Sequence, residues 1–351
     1  MAQGVVYVDP TNDLTPASPT DADWNTIDLG ASGENVLDGN DGDVVGVFLQ
    51  LFGASKADFG LRRGDSTTDF RFEGGYDDDY RTLCVGLDTT DDTFDIYLTS
   101  WVSITRLVCV GYVLSAGGYF FQDPVELGPN TSIDTFQSIA TLDGATLQAG
   151  HAQGGDTIGF PLCNFCCNDT ANNFGMRPAG SSNTTEYAGL MMYGSGLSSG
   201  DVEILSGDIT GADTRGKHRL FGYLKAAYVT AADTATDYSE ATTFESYVDV
   251  DVSAQVTETS NGVFGWIHSN GSTRSGWLRS NGATADYYSR SNVDPKQHNF
   301  TFVGIDGSEI FEQNVENSFV DLYVLAFVKD GGAAGGLSIP VAMAQYRQRW
   351  R

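Results

Sequence analysis

Lysine is nearly missing from this chain: among 351 residues only Lys56, Lys217, Lys225, Lys296 and Lys329 carry an ammonium group. Lysine and arginine together number 19 against 46 aspartates and glutamates, for a net charge of −27 and a pI near 4.1. Neutralising nucleic-acid phosphates takes clustered basic residues, and none cluster outside the last few positions, so no nucleic-acid partner is expected. Histidine is scarce as well, at His151, His218, His268 and His298. With no G-x-S-x-G, P-loop or H-E-x-x-H pattern, neither nucleophile-and-base nor zincin chemistry has a signature, and no enzyme is expected. Five cysteines stand at 84, 109, 163, 166 and 167. The CNFCC run has the spacing of half a zinc site, without a second Cys or His pair at finger distance. Cys84 and Cys109 have apolar neighbours and read as buried free thiols. No run approaches the ~18 apolar residues of a spanning helix, and MAQGVVYVDP lacks the basic and apolar parts of a signal peptide. The expectation is no membrane span and no signal-directed secretion.

What the chain does have is glycine, 42 residues of it, and 12% aromatics. Apolar residues recur at every second position, as in TFDIYLTSWVSITRLVCVGYV from Thr93 to Val113. That period belongs to strands half-buried on one face, and turn signals such as DGNDGD (38–43) and IDGSE (305–309) punctuate it.

Four phrases occur three times in one order. FGLRRGDST (59–67), FGMRPAGSSNT (174–184) and GWLRSNGAT (276–284) share an arginine at 62, 177 and 279, about 115 and 102 residues apart. Downstream come LVCVGYVL, RLFGYLKA and LYVLAFVK, with Gly111, Gly222 and Ala326 as equivalents. Upstream come WNTIDLG (24–30), SIATLDG (138–144) and SYVDVDV (246–252), and between them GVFLQLF (46–52), GFPLCNF (159–165) and VFGWIHS (263–269). Repetition at this scale marks a triplicated domain, here of roughly 90 to 110 residues.

The expected fold is all-β: three tandem antiparallel β-sandwich domains, jelly-roll-like, each with seven or eight strands. The domains are expected at 1–113, 133–228 and 244–330. The Gly- and Pro-bearing stretch 114–132 and the small, polar stretch 229–243 read as linkers, and 331–351 as a C-terminal docking tail.

Candidate sites are few. Arg62, Arg177 and Arg279 close a strand in each copy and are expected to be structural, pairing with an acid or capping carbonyls. The RGD at Arg63–Asp65 is not repeated and reads as a turn rather than a receptor motif. Asp77, Asp78 and Asp79, like DTTDD at 88–92, could clamp a cation between loops or be solvated carboxylates. No cofactor is expected, bound cations aside. Trp266, Trp277, Tyr287 and Tyr288 could stack on sugars or fill the core of copy three. In the tail, Tyr346, Arg347, Arg349, Trp350 and Arg351 suit an anchor onto an acidic neighbour as well as they suit a frayed end.

The scarcity of lysine and the excess of acid resemble the composition of halophilic proteins, whose self-repulsion is screened at ~1 M salt. The repeat phrase itself, carried by Trp24, Asp28, Leu29, Val47 to Leu49, Phe59 to Thr67 and Val110 to Val113, resembles a motif of virion structural proteins of tailed viruses. That resemblance implies β-sandwich modules in a capsid decoration, turret, spike or tail fibre, a symmetric homo-oligomer with capsid or portal/tail components as partners. It also implies a place in the virion after assembly in the host cytoplasm. A tail-fibre adhesin binding host-surface glycan is the alternative, and a carbohydrate-active enzyme the third.

Overall fold

The computed structural model describes residues 3–8, 13–30, 36–37, 39–40, 42–53, 58–69, 71–72, 80–101, 104–127, 135–165, 174–182, 191–206, 218–238, 244, 246–256, 259–269, 274–283, 287–291, 298–316 and 320–329. Nearly all of them lie in strands or the turns between strands.

Domain 1 holds β1 (Val5–Tyr7), β2 (Asp23–Asp28), β3 (Val44–Gly53), β4 (Phe59–Arg63), β5 (Arg71–Phe72), β6 (Tyr80–Gly86), β7 (Thr93–Leu98) and β8 (Ile104–Leu114). They pair as two antiparallel sheets, β1-β8-β3-β6 and β2-β7-β4-β5, the strand order of a jelly roll, in which two Greek keys pack face to face. Domain 2 holds β9 (Gly118–Leu127), β10 (Gln137–Ser138), β11 (Ile158–Phe165), β12 (Phe174–Pro178), β13 (Met191–Tyr193), β14 (Val202–Ser206) and β15 (His218–Lys225), ordered β9-β15-β11-β13 and β10-β14-β12. Domain 3 holds β16 (Val229–Asp237), β17 (Val248–Asp251), β18 (Ser260–Ser269), β19 (Arg274–Ser280), β20 (Tyr287–Ser291), β21 (His298–Gly304), β22 (Ile310–Val315) and β23 (Val320–Lys329), ordered β16-β23-β18-β21 and β17-β22-β19-β20. The three connectivities coincide strand for strand, apart from a domain 2 counterpart of β5, which is not among the described residues.

Register shows that the copies match in detail. Two irregularities recur in each central ladder: at Val44/Gly46 and Phe48/Leu49, at Ile158/Phe160 and Leu162/Cys163, and at Ser260/Gly262 and Phe264/Gly265. Between them Phe48 faces Gly111, Leu162 faces Gly222 and Phe264 faces Ala326. A bulge re-aims a strand and is a built feature, so the same pair in three ladders gives the three sheets one geometry.

Two boundaries differ from the sequence expectation. Of the expected linker 114–132, residues 114–127 are none: a three-residue turn follows β8 and the chain enters β9 at Gly118, while 128–132 lie outside the described residues. The glycines belong to that tight turn, where Gly117 lies against the backbone of Gly4, and Pro124 falls on an edge strand that needs no N–H there. Likewise 229–243 begins with β16, joined to β15 only by a 3-10 turn at Ala226–Tyr228. Among the described residues α-helix is confined to α1 (Ile139–Asp143) and α2 (Leu147–His151), capped by the Ser138 and Thr146 side chains.

Without linkers the domains are not strung out but closed on themselves. The equivalent strands β6, β13 and β21 touch one another pairwise. Around them β3 meets β9, β11 meets β16 and β18 returns to β1, so one domain's third strand abuts the next domain's first, cyclically. This is pseudo-threefold symmetry within a single chain. At its centre Phe48 and Phe264 lie 5.3 Å apart edge to face, and Phe160 stacks on Phe264 at 5.2 Å and on Phe300 at 6.3 Å. Aromatic pairs of this kind add about 0.5–1.5 kcal/mol each beyond burial. Glycine makes room: a Cβ on Gly46 would stand 2.4 Å from the Phe120 ring. One apolar cluster consequently runs through all three domains, with a separate second core inside domain 3.

Candidate functional site

The three repeated arginines define the most regular polar arrangement in the molecule. Arg62 on β4 faces Asp95 on β7, Arg177 on β12 faces Glu203 on β14, and Arg279 on β19 faces Glu312 on β22. Each donates its Nε–H to that acid, at 2.9, 2.7 and 2.5 Å. Each guanidinium carbon also lies over a ring: 4.1 Å from the centroid of Trp24, 4.0 Å from that of Phe136 and 3.5 Å from that of Tyr247. Trp24 is the second residue of β2, and Phe136 and Tyr247 immediately precede β10 and β17; each stands two residues before Thr26, Ser138 or Asp249, which face the same three acids. Ring, guanidinium and carboxylate thus stack across three strands and tie the edge of each outer sheet. Arg stacks and forks at once, which Lys cannot. With its charge and one flat face engaged inside the sheet, the clamp is a fastening of the fold.

Phrase matching missed the equivalence of these rings: Trp24 and Tyr247 stand within the quoted phrases but not in matching places, and Phe136 lies outside its phrase. Register pairs Trp24 with Phe136 and Tyr247, so the upstream phrase was placed two residues late in copy two and one early in copy three. The inner phrase was off by one, since Gly46 corresponds to Phe160 and Gly262.

In the RGD stretch, Arg63 donates to Asp65 from Nε at 2.5 Å and also from NH2. That contact holds the Asp65 carboxyl below its ordinary range. A receptor motif must offer both charges outward, whereas here they satisfy each other.

Cys84, Cys109 and Cys163 are free and buried. Burial above all pushes the three thiols up, Cys109 to about 12, so at neutral pH they are protonated core residues rather than free thiolates. Cys166 and Cys167 lie outside the described residues, as do Asp77, Asp78 and Asp79 and the tail residues Tyr346, Arg347, Arg349, Trp350 and Arg351. Among the described residues no group of three metal-ligating side chains occurs, and no helix is long and apolar enough to cross a membrane.

His218 is buried in domain 2, between Tyr193 OH on Nδ1 and the Leu205 carbonyl and Ser206 hydroxyl on Nε2, at 2.8 and 2.9 Å. Burial lowers its pKa to about 3, so it is a neutral core residue packed on Phe165 at 4.8 Å. Of the rings considered for sugar stacking, Trp266 is buried edge-on against Tyr323 at 5.0 Å, and therefore belongs to the core. Trp277 is half-buried on β19. The side chains of Tyr287 and Tyr288 are outside the described set.

Contacts between domains are polar as well as aromatic. Asn164 on β11, itself buried, accepts from Cys84 N–H at 3.1 Å and donates to its carbonyl at 2.8 Å, as a neighbouring strand would. Lys225, one of the five lysines, joins Asp156 at 3.3 Å and the Ser115 carbonyl at 3.0 Å.

No protein-family model matches the chain, and no curated protein matches it. Among solved structures, the N-terminal CBM22-1-CBM22-2 tandem domain of Paenibacillus barcinonensis Xyn10C aligns over 87% of this chain and 82% of its own, at 10% identity and a TM-score of 0.15. At that score the likeness carries no argument.

Proposed function

We propose that the protein is a non-enzymatic structural component of a tailed-virus particle, a capsid-surface decoration, turret or spike subunit. The observation that supports this reading is the closed threefold arrangement: one chain has the outline of a trimer. Symmetric shells present threefold and quasi-threefold positions, and a body with three similar outward faces can touch three neighbours there alike. Eight-stranded jelly rolls serve viral shells, and they serve lectins too, so the fold alone does not decide. The repeated arginines are consumed in fastening each sandwich, which leaves them an architectural role.

On this reading the partners are other virion proteins such as capsid or portal/tail components, and the protein resides in the virion after assembly in the host cytoplasm. The charge of −27 suits a halophilic host, where salt screens the repulsion between carboxylates. Electron microscopy of purified particles is the test. Density for the three-domain body on a threefold-related position of the shell is the expected result, and particles whose protein complement lacks this chain contradict the reading.

A further inference from the structure

The three junctions of the ring are built alike but not filled alike. Register makes Tyr7, Phe120 and Ala231 equivalent, since they face Gly111, Gly222 and Ala326. In the same ladders Gly86 and Gly304 correspond, and counting three residues on from Tyr193, where the β11–β13 pairing ends, adds Gly196; Arg63, Pro178 and Ser280 each follow one of the repeated arginines. Where domain 3 meets domain 1, the Tyr7 ring lies on Gly304, so close that a Cβ there would stand 2.4 Å from it, with the Ser280 hydroxyl at 2.8 Å. Where domain 1 meets domain 2, the place beside Gly86 is taken by the Phe120 Cβ at 3.1 Å and the Arg63 stem at 3.3 Å. Where domain 2 meets domain 3 the corresponding side chain is only a methyl group, that of Ala231. Phe160 compensates at the centre of the ring, where it meets Phe264 and Phe300, but it does not reach the outer part of the junction. A cleft of about 260 Å³ stays open there, bounded by the turn at 178–181, by residues 196–198 and by Ala231.

We infer that this cleft is a seat for an aromatic side chain supplied by a basic segment of a partner polypeptide. The shape follows from the sister junction, where a tyrosine ring fills the matching space. Its size argues for a single ring, because small-molecule pockets usually run to about 300–1,000 Å³. Aromatic rings in small pockets are the usual anchors of protein interfaces. The cleft's own lining is uncharged, so the sign of the partner is set at long range, by the net −27 of this chain, which draws in positive segments and repels acidic ones. The seat is a property of the chain alone and stands apart from the viral reading.

The test is an NMR titration of the full chain with p-cresol and with the tripeptides Arg-Tyr-Arg and Arg-Ala-Arg. Saturable shifts of the Gly180 and Gly196 amides are expected with cresol and with Arg-Tyr-Arg, at least tenfold weaker with Arg-Ala-Arg, and absent in Ala231→Phe. Ala231→Leu serves if the phenylalanine variant does not fold. Tyr7→Ala opens the sister site, so that variant should bind a second cresol and gain melting temperature from it. The inference is overturned by unsaturable or absent shifts, by equal binding of the two peptides, or by binding that survives in the filled variants.

Discussion

The side-chain amide of Asn261 donates to the Val5 carbonyl at 2.7 Å, joining residues 256 positions apart. This bond links β18 of the third domain to β1 of the first, the one junction that chain connectivity does not enforce. Asn261→Leu should leave a buried carbonyl short of a donor and cost about 1–3 kcal/mol, read by urea denaturation. Deleting residues 1–8 removes β1 and the Tyr7 ring together, uncovers β8, and should lower stability by more than any point change. Wild-type stability in the deletion variant would show that the third junction does not hold the ring.

The three clamps predict a graded series. Arg62→Ala, Arg177→Ala and Arg279→Ala should each cost about 1–3 kcal/mol, because each leaves a partly buried acid without its donor. Lysine at the same positions keeps the charge but loses fork and stack, and should recover only part of it. Similar losses at all three sites are expected from the shared geometry; full stability with lysine would remove the stacking argument.

His218 predicts a pH dependence. Its folded pKa of about 3 lies below the ordinary 6.5, so the folded state binds fewer protons than the unfolded one between those values. Stability is therefore fully present above about pH 6.5 and falls with pH below it, by about 2 kcal/mol between pH 6.5 and 5. His218→Gln should flatten that part of the curve, before the carboxylates titrate. An unchanged slope would place the titration elsewhere.

Charge predicts a salt dependence. Raising salt from ~0.1 to ~1 M shortens the screening length from about 10 to about 3 Å, and the melting temperature should rise throughout. A flat response would remove the halophilic reading.

Repetition was legible in the sequence because arginine and glycine stand out against alternating apolar residues. The alternation itself misled in copy two, since a strand pattern shifted by two residues looks the same; that displaced Trp24 from its true counterpart Phe136, whereas the one-residue slip against Tyr247 put the wrong face of β17 in register. Gly117, Gly118 and Pro124 read as a linker because turn and edge-strand chemistry use the same residues as linkers do. The acids that meet the arginines lie 26 to 33 positions downstream, and among 46 carboxylates none announces its partner. Ring closure left no trace at all. It depends on which outward faces meet, as Phe48 meets Phe264, and no local pattern encodes that.

Scanning calorimetry tests most directly whether three modules form one body. The shared core around Phe48, Phe160 and Phe264 predicts a single transition whose calorimetric and van't Hoff enthalpies agree, displaced as a whole by Phe264→Ala. Two or three separable transitions, or a Phe264→Ala effect confined to one of them, would contradict it.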